Sequence, residues 1–185
     1  MPKTYTAAGS AVAGDVYTAA AHNVIVTDVN NFIVPPLVRA NHGTTTQSLT
    51  NATLTYVQWD AEDYDTDGMF TTSDNTKITI NTTGVYLVTA TITFATNGTG
   101  SRLMSLMKNP SSASDFGSAF AGCWMDDPGA GAETVLSVSS PISLVATDVI
   151  RVMAFQSSGG ALNIGAVPSW SQQSHFAATW IGRTA

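Results

Sequence analysis

The chain has 185 residues, enough for one domain with a sizeable core plus an appendage. Only 11% of the residues are charged, whereas Thr, Ser, Ala, Val and Gly abound, which is the composition of an all-β structural protein rather than of a helical enzyme. A net charge of −6 and seven scattered Lys and Arg exclude a nucleic-acid binder, because phosphate recognition needs clustered cations.

Residues 1 to 14 are small, polar and rich in Gly and Ala, and predict an extended arm without a core. Met1–Ser10 has no basic region followed by an apolar run, so no secretory signal is expected. Thr18 is a suitable N-cap for a helix whose apolar positions Ala21, Ile25, Val29 and Phe32 recur at spacings of four, four and three. Pro35-Pro36 stops it. A helix of about four turns with one apolar stripe is not stable alone. It must pack on this domain, on copies of itself or on another protein. Residues 1–37 are therefore read as an anchoring or oligomerising unit, and residues 38–185 as the domain.

From Leu37 onward the signals are β. Strands are expected over Thr53–Gln58, Lys77–Ile80, Val85–Ala95, Arg102–Lys108, Phe116–Trp124, Thr134–Ser139, Asp148–Gln156 and Ser174–Ile181. The clearest is the third, where Tyr86, Val88, Ala90, Ile92 and Phe94 recur at every second position, with Thr89, Thr91 and Thr93 between them. That period of two describes one buried face and one threonine face. Turn clusters such as residues 81–84, 127–131 and 157–160 separate the strands. Strands at this spacing, with no internal repeat, suggest a sandwich or jelly roll. No window is apolar for the length of a membrane span.

Few residues carry chemistry. Asp60, Glu62, Asp63, Asp65 and Asp67 fall within eight positions, and Asp63-x-Asp65-x-Asp67-Gly68 with Asp74 at the twelfth position has the spacing of a calcium loop. The competing reading is a solvated acidic turn, since no helices flank the segment. Asp63 with Asp67 could be drawn as a glycosidase pair, but no sugar cleft is suggested around them. His22, His42 and His175 lack metal-ligand spacing, and no G-x-S-x-G occurs, so no enzymatic activity and no obligatory cofactor are expected. Cys123 is the single cysteine, which leaves no intrachain disulfide and reads as a small buried hydrophobe. The sequons at Asn51, Asn81 and Asn97 follow from the threonine-rich composition. Trp124 and Trp170 are candidates for stacking on glycans, with Trp59 and Tyr64 less so; Trp180 is assigned to the core.

Several elements in order resemble the C1q/tumour-necrosis-factor jelly-roll superfamily. They are the turn Tyr64-Asp-Thr-Asp-Gly68-Met-Phe70, the strand opening Gly84-Val-Tyr86 and the strand ending Lys108-Asn109. Ser140 to Val152 then resembles the family's L-x-x-G-D-x-V/I approach to a core strand, and Ser174-His-Phe176-Ala-Ala-Thr-Trp180-Ile resembles its closing S-x-F-x-G-x-L strand. The resemblance spans residues 38 to 183, with two departures: Ala146-Thr147 replaces the usual Gly before Asp148, and Ala178 stands where Gly is common. It implies an all-β C1q/TNF-like jelly-roll sandwich and a homotrimer. The double-sided apolar pattern of the strand through Ile150 and Val152 allows such an interface, with Val149, Met153 and Phe155 as the candidates, or simply marks a core strand.

Ala13-Gly-Asp-Val-Tyr-Thr-Ala-Ala-Ala-His22-Asn23, followed by a hydrophobic helix, is similar to the openings of tailed-bacteriophage virion proteins that dock a fibre or decoration domain. The two resemblances together imply a non-enzymatic virion structural protein, a decoration protein or head fibre on capsid, neck or tail. It would be assembled in the host cytoplasm, attached through residues 1–37 and displayed on the virion surface, with a contribution to adhesion on host-surface glycans. The alternative is a free bacterial carbohydrate- or calcium-dependent lectin-like module.

Overall fold

The computed structural model describes residues 18–126, 129, 132–165 and 173–184, with backbone alone for residues 30–32. Helix α1 spans Ala19–Ile33, and Thr18 caps it by accepting a hydrogen bond from the Ala21 N–H at 3.2 Å. The strands follow as β1 (Leu37–Asn41), β2 (Thr46–Leu49), β3 (Thr55–Tyr56), β4 (Ala61–Asp65), β5 (Ile78–Thr79), β6 (Gly84–Phe94), β7 (Ser101–Lys108), β8 (Ala119–Asp126), β9 (Thr134–Leu144), β10 (Val149–Gln156), β11 (Leu162–Gly165) and β12 (His175–Gly182).

They form two antiparallel sheets. In the seven-stranded sheet, β6 has β9 along one side and β12 along the other; β12 continues to β1 and β4, while β11 and β2 flank the end of β6. In the five-stranded sheet, β10 pairs with β7, β7 with β8, and β3 and β5 share the other side of β10. The all-β jelly-roll sandwich expected from the sequence is what forms.

The alternation in β6 sets its core face as its period implies, while on the other face Thr91 and Thr93 are buried as well, beside Ser137 and Ser174. Tyr86, Val88, Ala90, Ile92 and Phe94 are buried between the sheets against Phe176, Ala178 and Trp180 of β12 and Met104, Leu106, Ile150 and Val152 of the facing sheet. Gly84 is required where β6 opens, since a Cβ there would lie 1.9 Å from the Trp180 Nε1. The helix ends where expected, and Pro36 passes directly into β1.

Thr147 occupies the position at which the resembling family carries Gly, and its φ is 80°. A β-branched residue in the left-handed region is strained. Its N–H bonds the Ile80 carbonyl at 2.7 Å, so the turn is held despite the strain. Thr147→Gly should therefore raise stability, by about 1 kcal/mol after the greater flexibility of glycine in the unfolded chain is subtracted. Urea denaturation with an unchanged slope checks this.

Candidate functional site

The acidic segment does not gather into a metal site. Asp63 forms an ion pair with Arg39 at 2.9 Å and accepts from the Asn41 side chain at 2.7 Å. Asp65 caps the following turn, accepting from the Asp67 and Phe70 N–H groups at 3.0 and 2.8 Å. Asp67 is buried and accepts from the Thr82 hydroxyl at 2.8 Å, while the Asn81 amide bonds the Asp67 and Gly68 carbonyls at 2.9 Å each. Asp74 pairs with Lys77 at 2.5 Å, and this neighbour is the main reason its carboxyl pKa lies below the usual value. Each of the four carboxylates predicted to converge on calcium thus has its own partner. Among the described residues no group of three His, Cys, Asp or Glu side chains is placed to hold a metal ion. The sequence spacing is that of a turn braced by side chains: Asp65 holds the turn to itself, Asp67 fastens it to Thr82, and Tyr86 donates to the Thr82 carbonyl at 2.6 Å. Asp63 and Asp67, tied to different partners, form no acid–base pair either.

The histidines stay apart. His22 is exposed on α1, and His175 lies half-buried on β12. His42 is buried beside Trp59, with ring centroids 5.2 Å apart. Burial lowers the His42 pKa from its ordinary 6.5, outweighing the opposing effect of Asp60, and burial also lowers that of His175. Both groups bind protons more readily in the unfolded chain, so stability rises with pH across this range. It is fully present above about pH 6.5 and is lost on acidification. The melting temperature should drop by several degrees between about pH 7 and pH 5, and His42→Leu should remove much of that slope.

The interface residues expected on β10 need correction. Met153 is fully buried within the single chain, lying between Tyr56 and Ser105 in register. It offers no surface to a partner. Val149 is half-buried at the start of the strand, beside Thr79, and Phe155 lines a groove. Ile150 and Val152 point into the core as the alternation requires.

A different face has the character of an assembly surface, the outer side of the seven-stranded sheet. Its rows, read across β9, β6, β12 and β1, are Ser137–Thr91–His175–Asn41, Ser139–Thr89–Ala177–Arg39 and Pro141–Leu87–Thr179–Leu37. The middle is made of small side chains, of which Asn41, Thr91 and Ala177 are already buried within the chain, so the surface open to a partner is that of Leu87, Val135 and Ile181. Arg39 carries charge here but is neutralised by Asp63, and the lowered pKa of His175 keeps its ring neutral.

Helix α1 is the second exposed element. Ile25 and Val29, two residues of the predicted stripe, are 41% and 49% exposed, with Val26, Ile33 and Val34 beside them. Ala21 is exposed too, and the Phe32 side chain lies outside the described residues. Asp28 ties the helix to Arg183 after β12, at 3.4 Å. No helix is long and apolar enough to cross a membrane among the described residues.

Of the aromatic candidates, Trp59 and Trp180 are core residues, Tyr64 is 44% exposed, and Trp124 is 64% exposed on β8. Trp170 lies outside the described residues. Cys123 is half-buried against the core, and burial raises its thiol pKa.

No family model matches the chain, and no curated protein matches it. Solved structures do. The globular domain of zebrafish complement 1qA superposes with a TM-score of 0.53 at 13% identity, covering 80% of this chain and 99% of that one. Murine APRIL gives 0.58 at 11% identity, covering 79% and 98%. Eiger TNF from S. frugiperda gives 0.56 at 12% identity, covering 81% and 96%. At these identities the likeness establishes the fold: the chain has the C1q/TNF-like jelly roll.

Proposed function

We propose that the chain is a non-enzymatic structural module of a bacteriophage virion, a decoration or head-fibre protein whose jelly roll is displayed as a homotrimer and attached through α1. The observation that carries this reading is the exposed apolar helix. Ile25, Val26, Val29 and Ile33 would cost free energy in water unless a partner covers them. A folded head that leaves such a helix uncovered is organised for attachment to something larger. The resemblance of residues 13–23 to virion openings supplies the class of partner, and the C1q/TNF-like fold supports self-association.

Assembly through the outer face of the seven-stranded sheet fits the same reading. A face with small central side chains and its one Arg paired allows close sheet contact with little charge to desolvate. Trimers repeated over a particle would bind host surfaces by avidity, each contact being weak. The test is incorporation. Particles assembled with a chain lacking residues 1–37 should carry none of it, whereas retention of the truncated chain would refute attachment through this segment.

A further inference from the structure

We propose that the outer face of the five-stranded sheet carries a binding subsite for a short, uncharged oligosaccharide bearing acetamido or deoxy methyl groups. This deepens the adhesion part of the function proposed above and rests on it for the avidity that would make weak sites useful. The register of the sheet places Phe155 opposite Leu103, and Leu103 opposite Trp124, so that the three share one face. Leu54, one residue before the β3–β10 pairing, extends the row on the far side. Four strands abreast make an apolar track about 14 Å long.

A groove of about 520 Å³ lies along this track, floored by Leu103 and Phe155. Leu54 and Thr53 form one wall, and Ser114 and Phe116 form the other. Its volume falls in the usual range of ligand sites, about 300–1,000 Å³. Phe116, which lines the groove, and Trp124, which pairs with Leu103 at the end of the track beyond the groove lining, are 55% and 64% exposed, which leaves both aromatic rings open to solvent.

The chemistry of the lining selects among occupants. None of the groove residues is charged, and the carboxylate of Asp115 in the adjoining loop is occupied by the Ser111 N–H and hydroxyl at 3.0 Å each. An anionic sugar would bury its charge without a partner. An extended peptide would set N–H and C=O groups against an apolar floor that cannot pair with them. A pyranose ring avoids both costs. Its C–H face stacks on an aromatic ring, whose face is electron-rich, while its hydroxyls stay at the edge. There the Thr53 and Ser114 hydroxyls, which now bond Asn51 and Ser112, retain capacity for further hydrogen bonds. Methyl groups on the sugar would fill the space over Leu54 and Leu103.

Saturation-transfer NMR on the full chain tests this, with the trimer of N-acetylglucosamine as probe and maltotriose as the methyl-free comparison. Transfer should be strongest at the acetamido methyl and ring C–H protons of the first sugar. Trp124→Ala and Phe116→Ala should each weaken binding about five-fold. Subunit mass, melting temperature and particle attachment should be unchanged in both variants, so that failure of this site is distinguishable from failure of the virion reading. Absence of transfer to the N-acetylglucosamine trimer, transfer of equal strength to maltotriose, or unchanged affinity in Trp124→Ala, would overturn the proposal. So would occupation of the groove by a synthetic peptide of residues 18–34, which would assign it to α1 of a second copy.

Discussion

Leu87→Glu should convert the assembled protein into folded monomers. Leu87 is 36% exposed in the single chain, in register between Pro141 and Thr179 on the outer side of the seven-stranded sheet. A carboxylate there remains solvated in the monomer, so the fold should tolerate it with a change of no more than about 0.5 kcal/mol. In a close sheet contact the same carboxylate would lose its water, and three-fold symmetry would place it in every copy of the interface. Among the described residues the cation in the rows of this face is Arg39, which is already paired with Asp63 at 2.9 Å. An unpaired buried charge costs several kcal/mol, enough to dissociate an assembly of ordinary affinity. Circular dichroism should be that of the unmodified protein while the sedimenting mass falls to one chain. Met153→Ala provides the contrast. Met153 is fully buried within its own chain, so truncation should lower stability by about 2–5 kcal/mol and leave the subunit count unchanged.

Attachment to the particle should fail with far less perturbation than removal of the whole segment. Val29→Asp places a charge in the middle of the exposed stripe, one residue after the tether between Asp28 and Arg183. Helix propensity changes little at a single solvent-facing position, so α1 should still form to the extent it does now. Docking of the stripe into an apolar acceptor would be lost, since the new carboxylate would have to be buried. In the proposed trimer the helix would be presented three times, so losses would multiply, and the variant should be absent from purified particles. The heads should still assemble, which separates the attachment function from the sheet contact. Incorporation of Val29→Asp at normal levels would show that the stripe is not what the particle recognises.

The parts of this molecule legible in the sequence are those in which a local pattern meets a long element. β6 has eleven residues, and its period of two marks the core set Tyr86, Val88, Ala90, Ile92 and Phe94, but not the burial of Thr91 and Thr93 on the opposite face. The helix declares its start through the Thr18 cap and its end through the two prolines. No local pattern announces β1, β2, β4 and β11. They have four or five residues each, and a span as polar as Thr46–Leu49 becomes a strand because β11 pairs with it, not through its own composition. β9 runs on past its expected end at Ser139 because it pairs with β6 alone in its sheet, and an edge strand tolerates Pro141. Phe116, expected to open a strand, instead lies in a short 3-10 turn that leaves its ring exposed.

The candidate sites show the same division. Asp63, Asp65, Asp67 and Asp74 have metal-loop spacing, but spacing does not reveal that Arg39 and Thr82 come from elsewhere to occupy two of them, while Asp74 is taken by Lys77 three residues on. The two-sided apolar pattern of β10 announced burial on both faces. It could not say that the outward Met153 is covered within the same chain. The track from Leu54 to Trp124 depends on strand register across three pairings, which no local pattern records.

The most direct test of the account is the mass of the intact chain in solution, measured by sedimentation equilibrium over a range of concentration and salt. A mass three times the 19.3 kDa of the chain is expected, unchanged by high salt because apolar contact rather than ion pairing would hold the subunits. A single-chain mass at micromolar concentration would contradict it.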